Sequence, residues 1–170
     1  MVESLAATRD EQFHAFFASE GESLRRLAVF LTGNAEVGAD LAQEAMARAY
    51  RHWGRIKNQD PGPYCRRILV NLVRSGHRRS LLQRRHLEGR SDPEPAASNE
   101  GRRVDDWLRL APALRQLRPV QRAVIVLRFF EDMSEAEIAA TLDRPLGTVK
   151  SDIHRGLAKL RSLLPEEGQT

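Results

Sequence analysis

The segment from Ser134 to Arg161 constrains the fold most, because its pattern predicts two helices joined by a tight turn. Ser134 with Glu137 three residues later forms a capping box, which predicts a helix that starts at this point. The tripeptide Asp143-Arg144-Pro145 ends that helix, since proline has no amide hydrogen and clashes with the preceding turn. A second helix is expected from about Leu146. The segment therefore predicts a helix-turn-helix.

The second of these helices is amphipathic. On a period of about 3.6 residues its apolar and polar side chains fall on opposite sides. The apolar set is Val149, Ile153, Leu157, Leu160 and Leu164, and the polar set is Thr148, Ser151, His154, Arg155 and Arg161, with Lys150 at the edge. Such a helix can pack on a core and enter the major groove of DNA. Short helical pairs also occur in proteins that bind no DNA, so the pattern alone leaves DNA binding open.

Composition excludes several classes of protein. The one cysteine, Cys65, cannot form a disulfide framework or a cysteine-based metal site, and the five histidines stand at no ligand spacing. We therefore expect no metal and no other cofactor. The N-terminus lacks the apolar stretch of a signal peptide, and the longest apolar run, Ala123 to Leu127, is too short to cross a membrane. A cytoplasmic chain without a membrane segment is expected.

Charge is distributed unevenly along the chain. The net charge of +4 and the pI of about 9.8 weakly favour a polyanionic partner. Residues 1–50 carry eight acidic residues against four arginines, a net charge of −4. Residues 66–90 carry eight arginines against one glutamate, a net charge of +7. Because these arginines interleave with Ile68, Leu69, Leu72 and Val73, we expect a helix with a core side and a basic side.

The whole chain is predicted to be all-α. No segment alternates apolar and polar residues over the length of a strand. Apolar spacing predicts helices over about 10–32, with Gly21 as a candidate interruption, and over about 35–53. A third helix is predicted from Pro63 to about Arg79 or beyond, after a loop over 54–63 that is indicated by composition.

Two small helical domains joined by a flexible linker are expected. Residues 86–103 are the predicted linker, because the segment 89–101 holds no apolar residue larger than alanine and is rich in Pro, Ser and Gly. This leaves an N-terminal domain over 1–85 and a C-terminal domain over 104–170. In the second domain, Pro112 is expected to kink or restart a helix, and Pro119 to begin one.

The C-terminal part, from Leu114 to Leu163, resembles the promoter-binding domain of bacterial RNA polymerase sigma factors. The resemblance rests on the run R-x-x-x-x-L-R-F-F-E-D-M-S-x-x-E-I-A, followed by G-T-V-K-S-x-x-x-R-G-L-x-x-L-R. It is strongest to the extracytoplasmic-function group, including its sigma-E-like branch. The first domain agrees, since LTGNAEVGADLAQEAMARAYRHW resembles the family's polymerase-binding helices and YCRRILVNLVRSGHRR its promoter-melting helix.

The resemblance implies a sigma factor that binds core RNA polymerase and directs it to promoters, with no catalytic chemistry of its own. The C-terminal helix-turn-helix would read the minus-thirty-five element, and the N-terminal domain would read and melt the minus-ten element. Core polymerase, chiefly its β′ subunit, would contact the acidic helix at Asp40, Gln43, Glu44 and Arg48. Promoter DNA is the second implied partner. Many relatives are held by an anti-sigma protein, but no residue of this sequence identifies one.

The resemblance also assigns residues to DNA. In the N-terminal domain, a flipped base would be held by loop residues Lys57, Asn58 and Gln59. The following helix would carry the family's usual asparagine, Asn71, and would bind phosphates through Arg74, Arg78 and Arg79. In the C-terminal domain, phosphate contacts are expected from Arg128, Arg144, Thr148 and Lys150, and base contacts from Ser151, His154 and Arg155. Trp53 and Tyr64 could stack on bases, although aromatics at helical spacing more often belong to the core.

The sequence departs from the family pattern at Ser75-Gly76-His77, where relatives more often have a larger, often aromatic, residue. Because glycine weakens a helix interior, the base contacts around Gly76 stay open. Two other classes of protein also remain as alternatives to a sigma factor. A stand-alone helix-turn-helix regulator would need no polymerase-binding domain, and an enzyme such as a recombinase would need clustered carboxylates or a nucleophile, which the sequence does not show. The promoter sequence, the regulon and the inducing signal are not encoded in any recognisable motif.

Overall fold

The computed structural model describes residues 7–83 and 101–164, and this part of the chain is all-α, as predicted. Within those two ranges, no helix is both long enough and apolar enough to cross a membrane. The predicted linker, 86–103, lies outside the described residues up to position 100. The helices are α1 (Arg9–Thr32), α2 (Ala35–Arg51), α3 (Trp53–Ile56), α4 (Pro61–Gln83), α5 (Gly101–Arg115), α6 (Pro119–Ile125), α7 (Glu135–Leu142) and α8 (Leu146–Leu163), with a π-helical turn, Val126–Phe130, directly after α6.

The ends of α1 follow from local sequence. Thr8 and Glu11 form a capping box at its start. Gly33 ends it in the left-handed conformation with φ of 70°, which glycine adopts without a side-chain clash. The side chain of Asn34 then caps α2 by accepting from the Val37 amide at 2.9 Å. The candidate interruption at Gly21 does not occur, because α1 runs through it with the Phe17 ring packed 3.7 Å from where a Cβ would stand.

The loop predicted over 54–63 is shorter than expected. Residues 53–56 form the single turn α3, and α4 begins at Pro61 rather than at Pro63. Proline is tolerated in the first turn of a helix because the amides there have no partner within the helix. The connection is therefore confined to residues 57–60 and ends at Asp60, which has φ of 51°.

The N-terminal core depends on a close crossing of α1 and α2. A Cβ on Gly38 would lie 2.8 Å from the backbone nitrogen of Val29, so only glycine permits this approach. Further along α2, the buried residues Ala42, Ala45 and Ala49 also have small side chains, which allow the two helices to stay close. Trp53 is only 3% exposed, with Phe13 and Phe16 rings each 5.2 Å from its own. It belongs to the core, which is the more common role of an aromatic at helical spacing.

We predict that Gly38→Ala lowers the free energy of unfolding by about 1–3 kcal/mol, because its methyl group would meet backbone that cannot rotate away. The matched control is Gly54→Ala, since a Cβ there would meet nothing within 4 Å. The free energy of unfolding of Gly54→Ala is expected to rise by about 0.5–1 kcal/mol, because alanine has a better helix propensity than glycine. Urea unfolding of both variants measures the difference. Equal stabilities would contradict the close crossing.

The C-terminal unit is built around α6 and α8. Gly156 allows the two helices to approach, since a Cβ there would lie 3.0 Å from Ile125. The helix α5 continues through Pro112 without a restart. Pro119 begins α6, as predicted. The buried side chains include Leu114, Leu117, Val124, Leu127, Ile138 and Val149.

The two units pack against each other, which the sequence did not predict. The rings of Phe30 in α1, Trp107 in α5 and Phe130 in the π turn are in mutual contact, with centroids 4.9–5.7 Å apart. The Arg122 side chain reaches across to donate a hydrogen bond to the Leu31 carbonyl at 2.9 Å. The part of the chain that the structure describes is thus one packed body.

Candidate nucleic-acid interface

The helix-turn-helix is held in shape by its own capping groups. The Ser134 hydroxyl accepts from the Glu137 amide at 3.2 Å, and the Glu137 carboxylate accepts from the Ser134 amide at 2.7 Å. The Ser134 hydroxyl also donates to this carboxylate at 2.7 Å, and this hydrogen bond, together with the one from the Ser134 amide, lowers the pKa of Glu137 below its usual value. The helix α7 ends at Asp143, in the left-handed conformation with φ of 51°, and Pro145 precedes α8. The capping box and the proline break are therefore confirmed.

The second helix of this motif, α8, presents its polar side to solvent. Lys150, Ser151, His154 and Arg155 are exposed and Thr148 is half-buried, whereas Val149, Ile153 and Leu160 are buried. Leu164 is the exception to the predicted apolar stripe. It lies past the last helical residue with extended backbone, and 37% of its surface is exposed. The polar face is long enough to meet several consecutive base pairs in a major groove.

An ion pair joins the turn to the first part of α8, and its buried acidic member, Asp152, was missed in the sequence. Asp152 is only 5% exposed, and its carboxylate lies 3.3 Å from a guanidinium nitrogen of Arg144. The sequence feature that could have identified Asp152 is its position three residues after Val149, which places it on the inner face of the helix. Arg144, assigned to phosphate, is thus half-buried and directed toward Asp152.

Two further basic residues assigned to DNA have partners within the chain. Arg128 is half-buried and donates to the Met133 carbonyl at 3.0 Å, which bridges the π turn and the start of α7. Lys150 lies 3.7 Å from the Glu135 carboxylate in α7. Both groups of this second pair are partly exposed, and surface ion pairs of this kind contribute little to stability. Lys150 can therefore exchange Glu135 for a phosphate at small cost.

The N-terminal candidates lie on one loop and one helix. Lys57, Asn58 and Gln59 are exposed in the short connection before α4, and Lys57 donates to the side chain of Gln12 at 3.2 Å. Asn71 is exposed and Arg74 half-buried on α4, one turn apart on the same face. Arg78 and Arg79 belong to the same helix, but their side chains lie outside the described residues. Gly76 is helical and exposed, with open space around it.

The residues assigned to core polymerase form one exposed face of α2. Asp40, Gln43 and Arg48 are exposed and Glu44 is half-buried, at spacings that bring all four to the same side of the helix. Arg48 donates to the Glu44 carboxylate at 2.7 Å, and this hydrogen bond holds the pKa of Glu44 below its ordinary value. The opposite side of α2 carries the buried alanines that pack on α1.

The site consists of charged and hydrogen-bonding side chains that are suited to binding. Among the described residues, no group of His, Cys, Asp or Glu side chains is arranged to hold a metal ion. Cys65 is buried in α4, and that burial raises the pKa of its thiol to about 11, which leaves it unreactive. A helix-turn-helix whose second helix exposes a polar face defines a DNA-binding protein of the helix-turn-helix class, and the exposed polar face of α2 is separate from it.

Comparison with known proteins narrows the class to a family. Residues 16–83 match the family model described as Sigma-70 region 2, and residues 108–160 match Sigma-70, region 4. The RNA polymerase sigma-E factor of Streptomyces coelicolor is 34% identical over 154 residues, covering 90% of this chain and 86% of that protein. The ECF RNA polymerase sigma factor SigL of Mycobacterium tuberculosis is 34% identical over 176 residues, covering 99% and 98%. The chain belongs to the ECF group of RNA polymerase sigma factors.

Solved structures agree with the fold. The sigma factor RpoE of Bartonella quintana, in complex with the anti-sigma factor NepR, matches with a TM-score of 0.71 at 23% identity. That match covers 95% of this chain and all of the other. CnrH, in complex with the cytosolic domain of CnrY, matches with a TM-score of 0.58 at 25% identity, covering 92% and 89%. The all-α architecture of the chain is thus shared with both of these solved structures.

Proposed function

We propose that this chain binds core RNA polymerase through α2, reads the minus-thirty-five element with α8, and reads and melts the minus-ten element with α4 and the preceding loop. The observation that carries the proposal is the presence of sigma regions 2 and 4 in one chain, at residues 16–83 and 108–160. A stand-alone helix-turn-helix regulator would need only the second of these. We assign polymerase binding and melting to residues 1–85 and upstream recognition to residues 104–170.

We assign upstream recognition to the N-terminal half of α8. Thr148 and Lys150 lie near the helix N-terminus, where free amides and the helix dipole favour phosphate. Ser151, His154 and Arg155 are exposed further along and are proposed to contact base edges, with arginine to guanine as the most common pairing. The Arg144–Asp152 pair then orients the helix, and any phosphate contact by Arg144 or Arg128 supplements the hydrogen bonds these residues already make.

Minus-ten recognition is assigned to the exposed loop and α4. Separated strands must be held against re-pairing, which takes cationic groups for phosphates and polar groups for an unstacked base. Lys57, Asn58 and Gln59 are exposed together, and Asn71 and Arg74 share a face of α4. We add Arg78 and Arg79 to the phosphate contacts on the strength of the sequence alone.

The proposed partners are core polymerase, chiefly its β′ subunit, and promoter DNA. The factor is proposed to act in the cytoplasm with polymerase and to contribute binding rather than catalysis. One similar solved structure holds its sigma factor in complex with the anti-sigma factor NepR, so a regulator of this type is a candidate third partner.

Reconstitution with purified core polymerase tests the proposal. The chain should co-elute with the core enzyme at one copy per polymerase, and the complex should start transcripts at a restricted set of sites in fragmented genomic DNA. Core polymerase alone is the control. A chain that binds duplex DNA sequence-specifically but never associates with core polymerase would instead be a stand-alone regulator.

A further inference from the structure

The ion pair between Arg144 and Asp152 is poorly suited to stabilise the fold. Asp152 is only 5% exposed, and its Oδ2 atom lies 3.3 Å from a guanidinium nitrogen of Arg144. Among the residues that the structure describes, neither that oxygen nor the buried Nε atom of Arg144 has a hydrogen-bond partner. Burial of charge without complete hydrogen bonding costs free energy, and apolar side chains of similar volume are often at least as stabilising. A contribution to stability alone therefore does not explain this pair.

The pair joins two parts of the helix-turn-helix whose relative position decides where α8 lies. The backbone of Arg144 is attached to α7, because its amide donates to the Ala139 carbonyl at 2.9 Å, directly after the left-handed Asp143. The side chain of Arg144 then reaches Asp152 on the inner face of α8. The pair thus links the turn to α8 at a defined distance and rotation.

The other contacts of α8 with its surroundings fix its position less narrowly. Val149, Ile153 and Leu160 are buried and apolar, and apolar contacts have no preferred direction. The pair of Lys150 and Glu135 joins α8 to α7, but its nitrogen and oxygen lie 3.7 Å apart and both side chains are partly exposed. Such a surface pair contributes little. Of the two ion pairs, the buried one is therefore the stronger directional link.

Asp152 stands among the residues that are assigned to DNA bases. Ser151 precedes it, and His154 and Arg155 follow within one helical turn, all three exposed. Hydrogen bonds to base edges require side chains that are held to within about 0.5 Å of their working positions. A shift or rotation of α8 at Asp152 would move all three side chains together. The buried carboxylate would thus act on DNA only through the placement of α8.

We propose that Asp152, through its ion pair with Arg144, is a positioning residue that determines how sharply α8 discriminates between base sequences. The pair holds α8 in one register, so that Ser151, His154 and Arg155 reach their base edges together. This inference rests on the proposed function, which assigns upstream recognition to α8. It adds to the determinants of sequence preference a residue that touches no DNA.

The charge-neutral double variant R144M/D152L tests the pair. One cation and one anion are lost together, so the long-range attraction of the chain for DNA stays the same. The free energy of unfolding, measured in urea, should be at least as high as that of the parent chain, because both replacements are apolar. The polymerase complex that carries this variant should lose about tenfold in its preference for a recovered promoter fragment over unrelated DNA, which is the order of one lost base contact.

The conservative variant R144K gives a second test that buries no new apolar group. Lysine keeps a cation opposite Asp152 but lacks the planar fork of arginine, so the position of α8 should be less narrowly defined. R144K should fold like the parent chain and lose sequence preference in the same direction as R144M/D152L, by a smaller factor. Unchanged preferences in both variants would overturn the proposal.

The pattern of lost preference distinguishes a displaced helix from a lost contact. With single-base variants of the upstream element, R144M/D152L should flatten the preference at every position read by α8, whereas R155A should change it at one position. E135Q is the control, since it breaks the partly exposed pair with Lys150 and should leave base preferences unchanged. An equal loss on all DNA, with the salt dependence reduced by about one ion, would mean that Arg144 only binds phosphate and that the positioning role is wrong.

A measurement on the free chain separates failure of this inference from failure of the proposed function. Spin labels on cysteines introduced by A136C in α7 and A158C in α8 report the distance between two exposed positions, while the native Cys65 is buried. The parent chain should give a narrow distance distribution, and R144M/D152L a broader or displaced one. A parent chain that binds neither polymerase nor promoter would refute the proposed function, whereas identical label distances in parent and variant would refute the positioning role.

Discussion

Reversal of both Asp40 and Glu44, as D40R/E44R, is expected to reduce the affinity of the chain for core polymerase by at least about tenfold. Placing like charges against a basic partner costs several kcal/mol, and both residues lie on the accessible face of α2. Asp40 should contribute more than Glu44, because the Glu44 carboxylate already accepts a hydrogen bond from Arg48 at 2.7 Å. Competition with a labelled parent chain for limiting core enzyme measures both effects.

The neutral variant D40N/E44Q is the matched control and should lose less affinity than the reversed one. Neither pair of substitutions touches the buried alanine face of α2, so thermal stability should stay close to that of the parent. Unchanged competition by D40R/E44R at low salt would mean that another surface of the chain binds polymerase.

The Arg155→Ala and Lys150→Ala variants are expected to change DNA binding in different ways. Loss of Arg155 should cost about 1–3 kcal/mol at one guanine-containing position and relax the preference there. Loss of Lys150 should weaken binding to all sequences and reduce the salt dependence by about one ion. Binding of the polymerase complex to a promoter and its single-base variants, over a range of salt concentrations, measures both.

Lys159→Ala is the control for Lys150→Ala, since Lys159 is an exposed lysine further along the same helix. It should leave both affinity and salt slope nearly unchanged. If Arg155→Ala weakened all sequences equally, the phosphate and base contacts on α8 would have been assigned to the wrong side chains.

The features that the sequence predicted depend on neighbours within a few residues. The capping box at Ser134, the end of the first helix at about residue 32 and the helix start at Pro119 each require only a local backbone preference, and each occurs as predicted. The amphipathic pattern of α8 likewise placed its polar residues toward solvent. Sigma-factor motifs, carried by the same residues, led to the correct family.

The features that the sequence did not predict depend on distant residues. Arg66 and Glu131 lie in different units, and nothing in the local pattern of either pairs it with the other. Asp152 received no role from the sequence, and its ion pair with Arg144 depends on the turn that brings the two residues together. The early start of α4 depended on two prolines that composition assigns to a loop but that a first helical turn accepts.

The π turn at Val126–Phe130 makes the contact between the two units depend on the number of residues in this segment. In this turn the Glu131 amide bonds to the carbonyl of Val126, five residues back, so the segment holds one residue more than an α-helix would. Deletion of a single residue within it would restore the α-helical register and rotate the following side chains by about 100°. Phe130 and Glu131 would then leave their partners Phe30, Trp107 and Arg66 together, so a one-codon deletion is expected to open the contact between the two units.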